Sequence, residues 1–321
     1  MSNFTFSFLE EQVGRSKRPL ILTHVDPDGD ALGSVMAMKN IIEELGAKPY
    51  VFLTGKISSD LRVSEKTCVA SKVDTMKHDL IIILDTSNPG RTGVDFPKSF
   101  DAPVFILDHH ILKEGRVFPE NYHVLINHSA TAACEIIFDL LEKENKKISN
   151  VVASYLLLGI YTDSGGFFHS NTTPELLKKV EKLLKRGVLF RNIIQGAFKG
   201  KSVPVLNFWG KKISSAKFHP RLKFISSELS QKELDKKGIT HEEVGGLVNL
   251  LNMSDEALFS LLLTDTGEGK IKGSLRSSER KGFNVNTVSR ILGGGGHRLA
   301  AGFEVSGKIV DKGKKLYVKK V

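Results

Sequence analysis

Five short apolar runs, Pro19–His24, Tyr50–Thr54, Asp79–Asp85, Val104–Asp108 and Tyr122–Ile126, constrain this chain more than any other feature. They alternate with helical patterns, which is the signature of a parallel sheet covered by helices. The spacing predicts a doubly wound α/β domain. Asp30–Gly46 reads as a helix with apolar positions at Leu32, Val35, Met36, Met38, Ile41, Ile42 and Leu45, closed by Gly46. Thr131–Lys143, Asn150–Tyr161 and Pro174–Arg186 read as further helices, and Asn192–Ser214 as helical with a break at Lys199–Pro204. From Ile213 the pattern turns strand-rich, with Arg221–Ser226, Ala257–Thr264 and Ile271–Arg276 as strands and His241–Leu251 and Asn286–Leu292 as helices. We therefore expect a doubly wound α/β domain over 1–190, a helical linker over 191–212, and a smaller α/β domain with a mixed sheet over 213–321, the division falling near residue 200.

Several of these strands end in acids or histidines. In open parallel sheets ligands bind beyond the carboxyl ends of the strands, so such residues are candidates for a site. His24-Val25-Asp26-Pro27-Asp28-Gly29-Asp30 stands between a strand and a helix. Three carboxylates in five residues repel one another at a packed strand end unless a cation neutralises them. Taken alone, the segment is equally a turn with Asp30 as helix N-cap. Three further segments change that balance: Asp85 ends Leu80–Leu84, Asp108-His109-His110 ends Val104–Leu107, and Asp163 follows the apolar helix through Tyr161. Together they offer imidazole and carboxylate in the mixture that Mn²⁺ or a similar divalent ion prefers, and the expected site is dinuclear. Cys68 and Cys134 lie far apart and in no zinc-ligand spacing, which argues against both a zinc-thiolate site and a disulfide framework.

With these motifs the chain resembles the DHH phosphoesterases, named for the run found here as Asp108-His109-His110. The resemblance includes His24-x-x-x-Asp28-x-Asp30, Asp85-Thr-Ser-Asn-Pro-Gly-Arg91, Thr162-Asp163-Ser164-Gly165, and Gly293-Gly294-Gly295-Gly296-His297 followed by Ala300-Ala301-Gly302. The last looks like a DHH-associated substrate-binding domain, and the subgroup resembled is that of the two-domain nano-RNase (oligoribonuclease) and 3′-phosphoadenosine 5′-phosphate (pAp) phosphatase proteins. The resemblance implies that His24, Asp28 and Asp85 hold one cation and that Asp30, Asp85, His109 and Asp163 hold the other, with Asp85 as bridge. Two divalent cations, Mn²⁺ first and Mg²⁺ or Co²⁺ as substitutes, would supply hydroxide for in-line attack on phosphorus. His110 would face the phosphate or the leaving oxygen, or else only orient its neighbours, while Asp108 would support the histidines. Asp26 stays outside the ligand set.

For the substrate, Arg276 is the main expected phosphate anchor, because a guanidinium forks onto phosphate as lysine cannot. Ser274, Gly294, Gly295, Gly296 and His297 are grouped with it, since a glycine run lets backbone amides approach a phosphate or base closely. Arg91 is the candidate anchor on the catalytic domain. Asn127–Thr131 precedes a helix and could bind an anion, although Ser129 as an N-cap explains it equally well. Many members of the family carry an arginine soon after the Asp163 motif, whereas residues 164–170 here contain none. His169 would be a weaker replacement there, or Phe167 and Phe168 would stack on a base, with core packing expected for at least one of them.

The chain carries 46 Lys plus Arg against 36 Asp plus Glu, a net charge of +10, which favours anionic partners without choosing among them. Short single-stranded RNA or a small nucleotide is the expected partner, because no aromatic-rich or strongly basic insert suits a long polymer. If cations and anchor lie on different domains, the cleft between them would measure substrate length. No stretch approaches the ~20 apolar residues of a membrane span, and the N-terminal residues lack a signal-peptide core, so a cytoplasmic protein with no membrane partner is expected. A homodimer pairing through the catalytic domain is what the resemblance implies. The expected activity is hydrolysis of short RNA to mononucleotides and of pAp to AMP. The alternatives are a phosphodiesterase for pApA or cyclic di-AMP, and a non-catalytic nucleic-acid-binding protein of the same fold.

Overall fold

Every residue of the strands Pro19–Leu22 (β1), Leu80–Leu84 (β3) and Val104–Asp108 (β4) is buried, which is why they read as unbroken apolar runs rather than alternating ones. With Tyr50–Phe52 (β2) and Tyr122–Ile126 (β5) they form one parallel sheet in the order β2-β1-β3-β4-β5. The computed structural model describes residues 4–55, 73–97, 100–112, 115–169, 171–197, 202–240, 243–244, 246–267, 269–311 and 316–319. The strand order reverses between β1 and β3, so their carboxyl ends open side by side at the point where doubly wound folds bind ligands.

Alternate residues of the sheet enter two cores. Ile21, Ile82, Leu84, Phe105 and Leu107 pack under the helices Phe6–Arg15 (α1), Gly29–Glu44 (α2), Ala133–Lys143 (α3) and Asn150–Asp163 (α4). Leu20, Leu22, Ile81, Ile83, Val104 and Ile106 form the other core with Phe52 and Val94. The Asp30–Gly46 expectation corresponds to α2, which starts one residue earlier because Asp28, not Asp30, is its N-cap, accepting from the Asp30 and Ala31 amides at 3.0 and 3.1 Å. Helix α1 was absent from the sequence reading, although Phe6, Leu9 and Val13 lie on one buried face and Thr5 caps it. Pro174–Leu184 (α5) and Phe190–Ala197 (α6) complete this unit of residues 1–199.

The second unit, residues 200–321, begins with Val203–Ser214 (α7), so the segment expected as a linker is shared between the units. Its strands are Lys217–His219 (β6), Phe224–Ser230 (β7), Phe259–Asp265 (β8), Lys270–Arg276 (β9), Gly295–Gly296 (β10) and Ala300–Ser306 (β11). They form a mixed sheet in the order β10-β11-β9-β8-β7-β6, in which β7 and β8 run parallel and the other neighbours antiparallel. The helices Gln231–Lys237 (α8), Leu247–Leu251 (α9) and Val285–Ile291 (α10) accompany it, and Lys308–Asp311 (β12) pairs with Leu316–Lys319 (β13). The helix expected from His241 starts at Leu247, after a left-handed Gly246. His241, Cys68 and residues 199–201 of the expected break at Lys199–Pro204 lie outside the described residues, whereas Val203 and Pro204 of that break already belong to α7. Cys134 is buried.

Candidate metal centre

The site is built where β1, β3 and β4 run out. Thr23 donates its hydroxyl to the Leu84 carbonyl at 2.8 Å, tying the ends of β1 and β3 together. The following loop is held from both sides, since the Val25 amide donates to the Arg91 carbonyl (2.8 Å) and the Asp26 amide to the Thr54 carbonyl (3.0 Å). Asp26 and Asp85 both adopt left-handed backbone with φ of 55° and 58°, which is uncommon outside glycine and concentrates at functional sites. In Asp85 this turn aims the carboxylate back across the strand ends.

Asp85 is the meeting point. Its Oδ2 lies 3.4 Å from His24 Nε2, and its Oδ1 lies 3.4 Å from His109 Nε2 and 3.5 Å from His110 Nδ1. His109 Nε2 is also 3.7 Å from Asp163 Oδ2 and 3.9 Å from Asp30 Oδ2. Ligand atoms of His24, Asp28 and Asp85 fall within 4.8 Å of one another, and those of Asp85, His109 and His110 do the same. Two donors each ~2.1 Å from one ion stand about 3.0–3.5 Å apart at octahedral or tetrahedral angles. The closest pairs in the cluster have that separation.

The donor chemistry also fits a cation. The Val25 carbonyl, 2.9 Å from His24 Nδ1, can only accept, so Nδ1 carries the proton and a neutral His24 turns the lone pair of Nε2 toward a carboxylate. Two acceptors face one another there. Asp85 Oδ1 is buried and makes no hydrogen bond, a costly state unless a positive charge completes it. In the metal-free chain protons fill that role. Burial disfavours charge on His109, but Asp85, Asp30 and Asp163 outweigh it and push the imidazole up to about 10. His24 titrates above its ordinary value for the same reason, with burial opposing and Asp85 prevailing. Burial and neighbouring acids push the Asp30 carboxyl well up and Asp163 to about 6. Burial acts the same way on Asp85, but His109 and His24 hold it at about 2.

Asp30 is anchored from a distance. Its carboxylate accepts the Ala133 and Cys134 amides at 2.6 and 3.0 Å, so it caps α3 from a residue more than a hundred positions away, while the N-cap Ala132 contributes no side-chain bond. This corrects the reading of Ser129 as an N-cap: the helix starts at Ala133 rather than Thr131, and Ser129 belongs to a turn in which its amide donates to Asn127 Oδ1 at 3.1 Å. Gly159 of α4 permits the approach, since a Cβ there would stand 2.6 Å from Asp30 Oδ1 and 2.2 Å from Cys134 Sγ. The α3 amides and Gly159 were missed in the sequence, where a glycine inside a bulky apolar helix was the available signal. Asp108 supports His110, accepting from its ring Nδ1 at 2.8 Å and its amide at 3.1 Å.

The substrate candidates are less uniform. Arg91 is exposed in the 3-10 turn Pro89–Thr92. Ser274 and Arg276 share one face of β9, two residues apart. Arg276 donates Nη1 to the Leu275 carbonyl at 2.9 Å, its Nε is buried without a partner, and burial lowers its pKa. Gly294 is taken up by the fold, because a Cβ there would stand 2.1 Å from the Gly302 carbonyl; Gly295 has open space beside it. Gly296 pairs with Ala301 and the exposed His297 donates its amide to the Ala300 carbonyl at 2.8 Å. Phe167 packs edge-on against Tyr161 at 5.3 Å, the core role expected for one of the pair, whereas Phe168 is 90% exposed.

Residues 18–160 match the DHH family N-terminal domain and residues 222–317 match the DHHA1 domain. The chain carries a DHH N-terminal domain followed by a DHHA1 domain. Among its relatives is the bifunctional oligoribonuclease and PAP phosphatase NrnA of Thermus thermophilus, 27% identical over 91% of this chain and 85% of that protein. The NrnA of Bacillus subtilis is 26% identical over 88% and 87%. An exopolyphosphatase-related protein from Bacteroides fragilis shares the fold, with a TM-score of 0.81 at 23% identity, covering 94% of this chain and 91% of that one. RecJ of Thermus thermophilus, solved in complex with Mn²⁺, superposes with a TM-score of 0.51 at 16% identity over 92% of this chain and 51% of its own. The chain is a phosphoester hydrolase. Among its described residues no helix is long and apolar enough to cross a membrane.

Proposed function

We propose that this protein is a divalent-metal-dependent phosphoesterase that hydrolyses short oligoribonucleotides to mononucleotides and pAp to AMP. The observation that carries the reading is Asp85, whose buried, unbonded Oδ1 and second oxygen belong to two adjoining donor groups. Relatives named oligoribonuclease and PAP phosphatase over most of the chain support the substrate class. His24, Asp28 and Asp85 would hold one cation, and Asp30, Asp85, His109 and Asp163 the other, with Mn²⁺ suited to this oxygen and nitrogen set. When bound, such a pair supplies a nucleophilic hydroxide near neutral pH and neutralises charge on the phosphate.

The chain's own residues do the rest. The Val25 carbonyl fixes the His24 tautomer, and the α3 amides hold Asp30 in place, so the donors are oriented before anything binds. Asp108 can only accept, so it keeps the His110 proton on Nδ1 and leaves Nε2 as the atom that meets a phosphate or leaving oxygen. In the other unit, Arg276 is the phosphate anchor, with Ser274, Gly294, Gly295, Gly296 and His297 around it, and Arg91 is the anchor beside the cations.

The test is a rate comparison on pAp, a ribodinucleotide, a ribopentanucleotide, pApA, cyclic di-AMP and a long RNA, with chelator and then with added Mn²⁺. Mn²⁺-dependent release of AMP from pAp and of mononucleotides from the short RNAs is expected. A preference of about tenfold for cyclic di-AMP, equivalent to about 1.4 kcal/mol of barrier, would replace this reading with cyclic-dinucleotide turnover. Binding of RNA with no hydrolysis of any ester would make the chain a binding protein.

A further inference from the structure

The loop after Asp163 lacks the cation that a phosphate-binding segment would use. Residues 164–169 are Ser-Gly-Gly-Phe-Phe-His in a chain of net charge +10, so what this loop offers beside the cluster is an aromatic ring and an imidazole. Its two phenylalanines are treated differently. Phe167 faces inward onto Tyr161 at 5.3 Å and Phe190 at 6.1 Å, while Phe168 is 90% exposed. Single exposed apolar residues are ordinary on protein surfaces, so exposure alone assigns nothing.

Rigidity and position set Phe168 apart. The Ser164 hydroxyl accepts the Phe167 amide at 3.1 Å, and the His169 amide returns to the Ser164 carbonyl at 2.9 Å. The His169 ring lies over Gly165, where a Cβ would stand 2.3 Å from its Nε2. Its Nδ1 is 3.2 Å from the Asp163 carbonyl, which Asn171 also approaches at 3.4 Å. The residue next to Phe168 is thus bonded to the backbone of a carboxylate in the cluster. Gly165, Gly166 and Phe167 all take positive φ, at 60°, 69° and 69°, and at Phe167 this backbone is unfavourable for a residue with a Cβ. The inward turn of Phe167 leaves its neighbour pointing outward from a fixed support.

We propose that Phe168 is a stacking platform for the nucleobase of the nucleotide whose phosphate lies at the Asp85 cluster, so that this loop recognises the base where an arginine would recognise phosphate. The proposal rests on the phosphoesterase reading above. A face-on ring accepts any base, which makes the contact tolerant of sequence but dependent on a base being present.

The test uses the full chain and a ribodinucleotide carrying 2-aminopurine at the nucleotide next to the scissile phosphate, with a matched abasic dinucleotide. Binding is read from quenching of 2-aminopurine fluorescence in chelator and in Ca²⁺, and turnover is read in Mn²⁺. Quenching by the native chain is expected, with loss of quenching and a KM increase of ~10-fold in Phe168→Ala, a smaller change in kcat, and recovery in Phe168→Trp. The preference for the intact over the abasic substrate should shrink by the same factor in Phe168→Ala. Phe168 is exposed, so its variants should fold, which an unchanged melting temperature checks. Cleavage with KM and quenching unaltered in Phe168→Ala would overturn the platform and leave the hydrolytic reading standing. Quenching that depends on Phe168 without any cleavage would support the platform and remove the hydrolytic reading. Absence of both removes both.

Discussion

The Asp85 cluster of the first unit and the glycine-rich turn of the second are both short motifs, yet the fold treats them in opposite ways: the cluster is largely buried, while the turn lies mostly exposed. Around Asp85, side chains from the ends of β1, β3, β4 and α4 approach to 3.4–3.9 Å while Asp85 Oδ1 makes no hydrogen bond, burial raises the Asp163 carboxyl, and the surrounding acids raise His109 against burial. In the turn after α10, the chain fills its own space: Gly294 meets the Gly302 carbonyl and Gly296 pairs with Ala301. The first arrangement is incomplete without something from outside, the second largely complete by itself. A motif's residues therefore divide into those the fold consumes and those it leaves over, and the remainder marks the site.

The sharpest way to break this contrast is Asp85→Asn. It should lower kcat by ~10³-fold or more and abolish the rise in melting temperature that Mn²⁺ gives the native chain. Native turnover in that variant, measured with verified metal content, would show that the bridge is not at Asp85. The same cluster sets a sign for pH. In chelator, the raised Asp163 carboxyl penalises folding as pH rises from its unfolded value near 3.8 through about 6. The stability held by protonated His109 is full below its unfolded value of 6.5 and is lost as pH rises through about 10. Asp85, depressed to about 2, loses its contribution only below its unfolded value of 3.8. The cluster should therefore make the metal-free protein less stable from pH 5 to pH 9, and bound metal should reverse the slope because it selects ionised carboxylates and neutral imidazoles. Thermal melts across that range, with and without Mn²⁺, read both slopes.

Glycines sharpen the other half. Gly294→Ala should destabilise the second unit by about 3 kcal/mol, because its Cβ would press on β11 backbone that cannot swing aside as a flexible side chain would. Gly295→Ala, with nothing within 4 Å, should leave stability within about 0.5 kcal/mol. If Gly295 contacts substrate, its alanine variant raises KM with the melt unchanged. Equal melting temperatures for the two variants would remove the distinction.

What could be read from the letters follows the same division. The parallel strands were legible because β1, β3 and β4 are buried on both faces, which leaves unbroken runs such as Leu80–Leu84. The acids and histidines beyond them were legible because they interrupt those runs. Helix α1 was not, because it is only ten residues long and Phe4 and Phe8 blur the helical spacing of Phe6, Leu9 and Val13. The Asp30 bonds to Ala133 and Cys134 were illegible for a firmer reason: backbone amides have no letter, and their use as a cap depends on a contact spanning about a hundred residues. Strand β11 was missed because its glycines and alanines, Ala300-Ala301-Gly302, lack the β-branched signature of a strand.

Arg276 belongs to the remainder in the second unit, and its prediction is the smallest in size and the most specific in pattern. A half-buried guanidinium whose Nε has no partner contributes poorly to folding, since burial opposes its charge and the single bond from Nη1 to the Leu275 carbonyl offsets only part of that cost. Its replacement by an apolar residue of similar length should therefore be neutral or stabilising. Arg276→Met should keep or raise the melting temperature while raising KM for pAp by ~10-fold, with a smaller change in kcat, because remote anchoring is lost about equally from ground and transition states. Arg276→Lys should recover less than the retained charge suggests, since an ammonium cannot fork onto two phosphate oxygens. A fall in melting temperature with KM unchanged would place Arg276 among the residues the fold consumes, and the anchoring role on β9 would be lost with it.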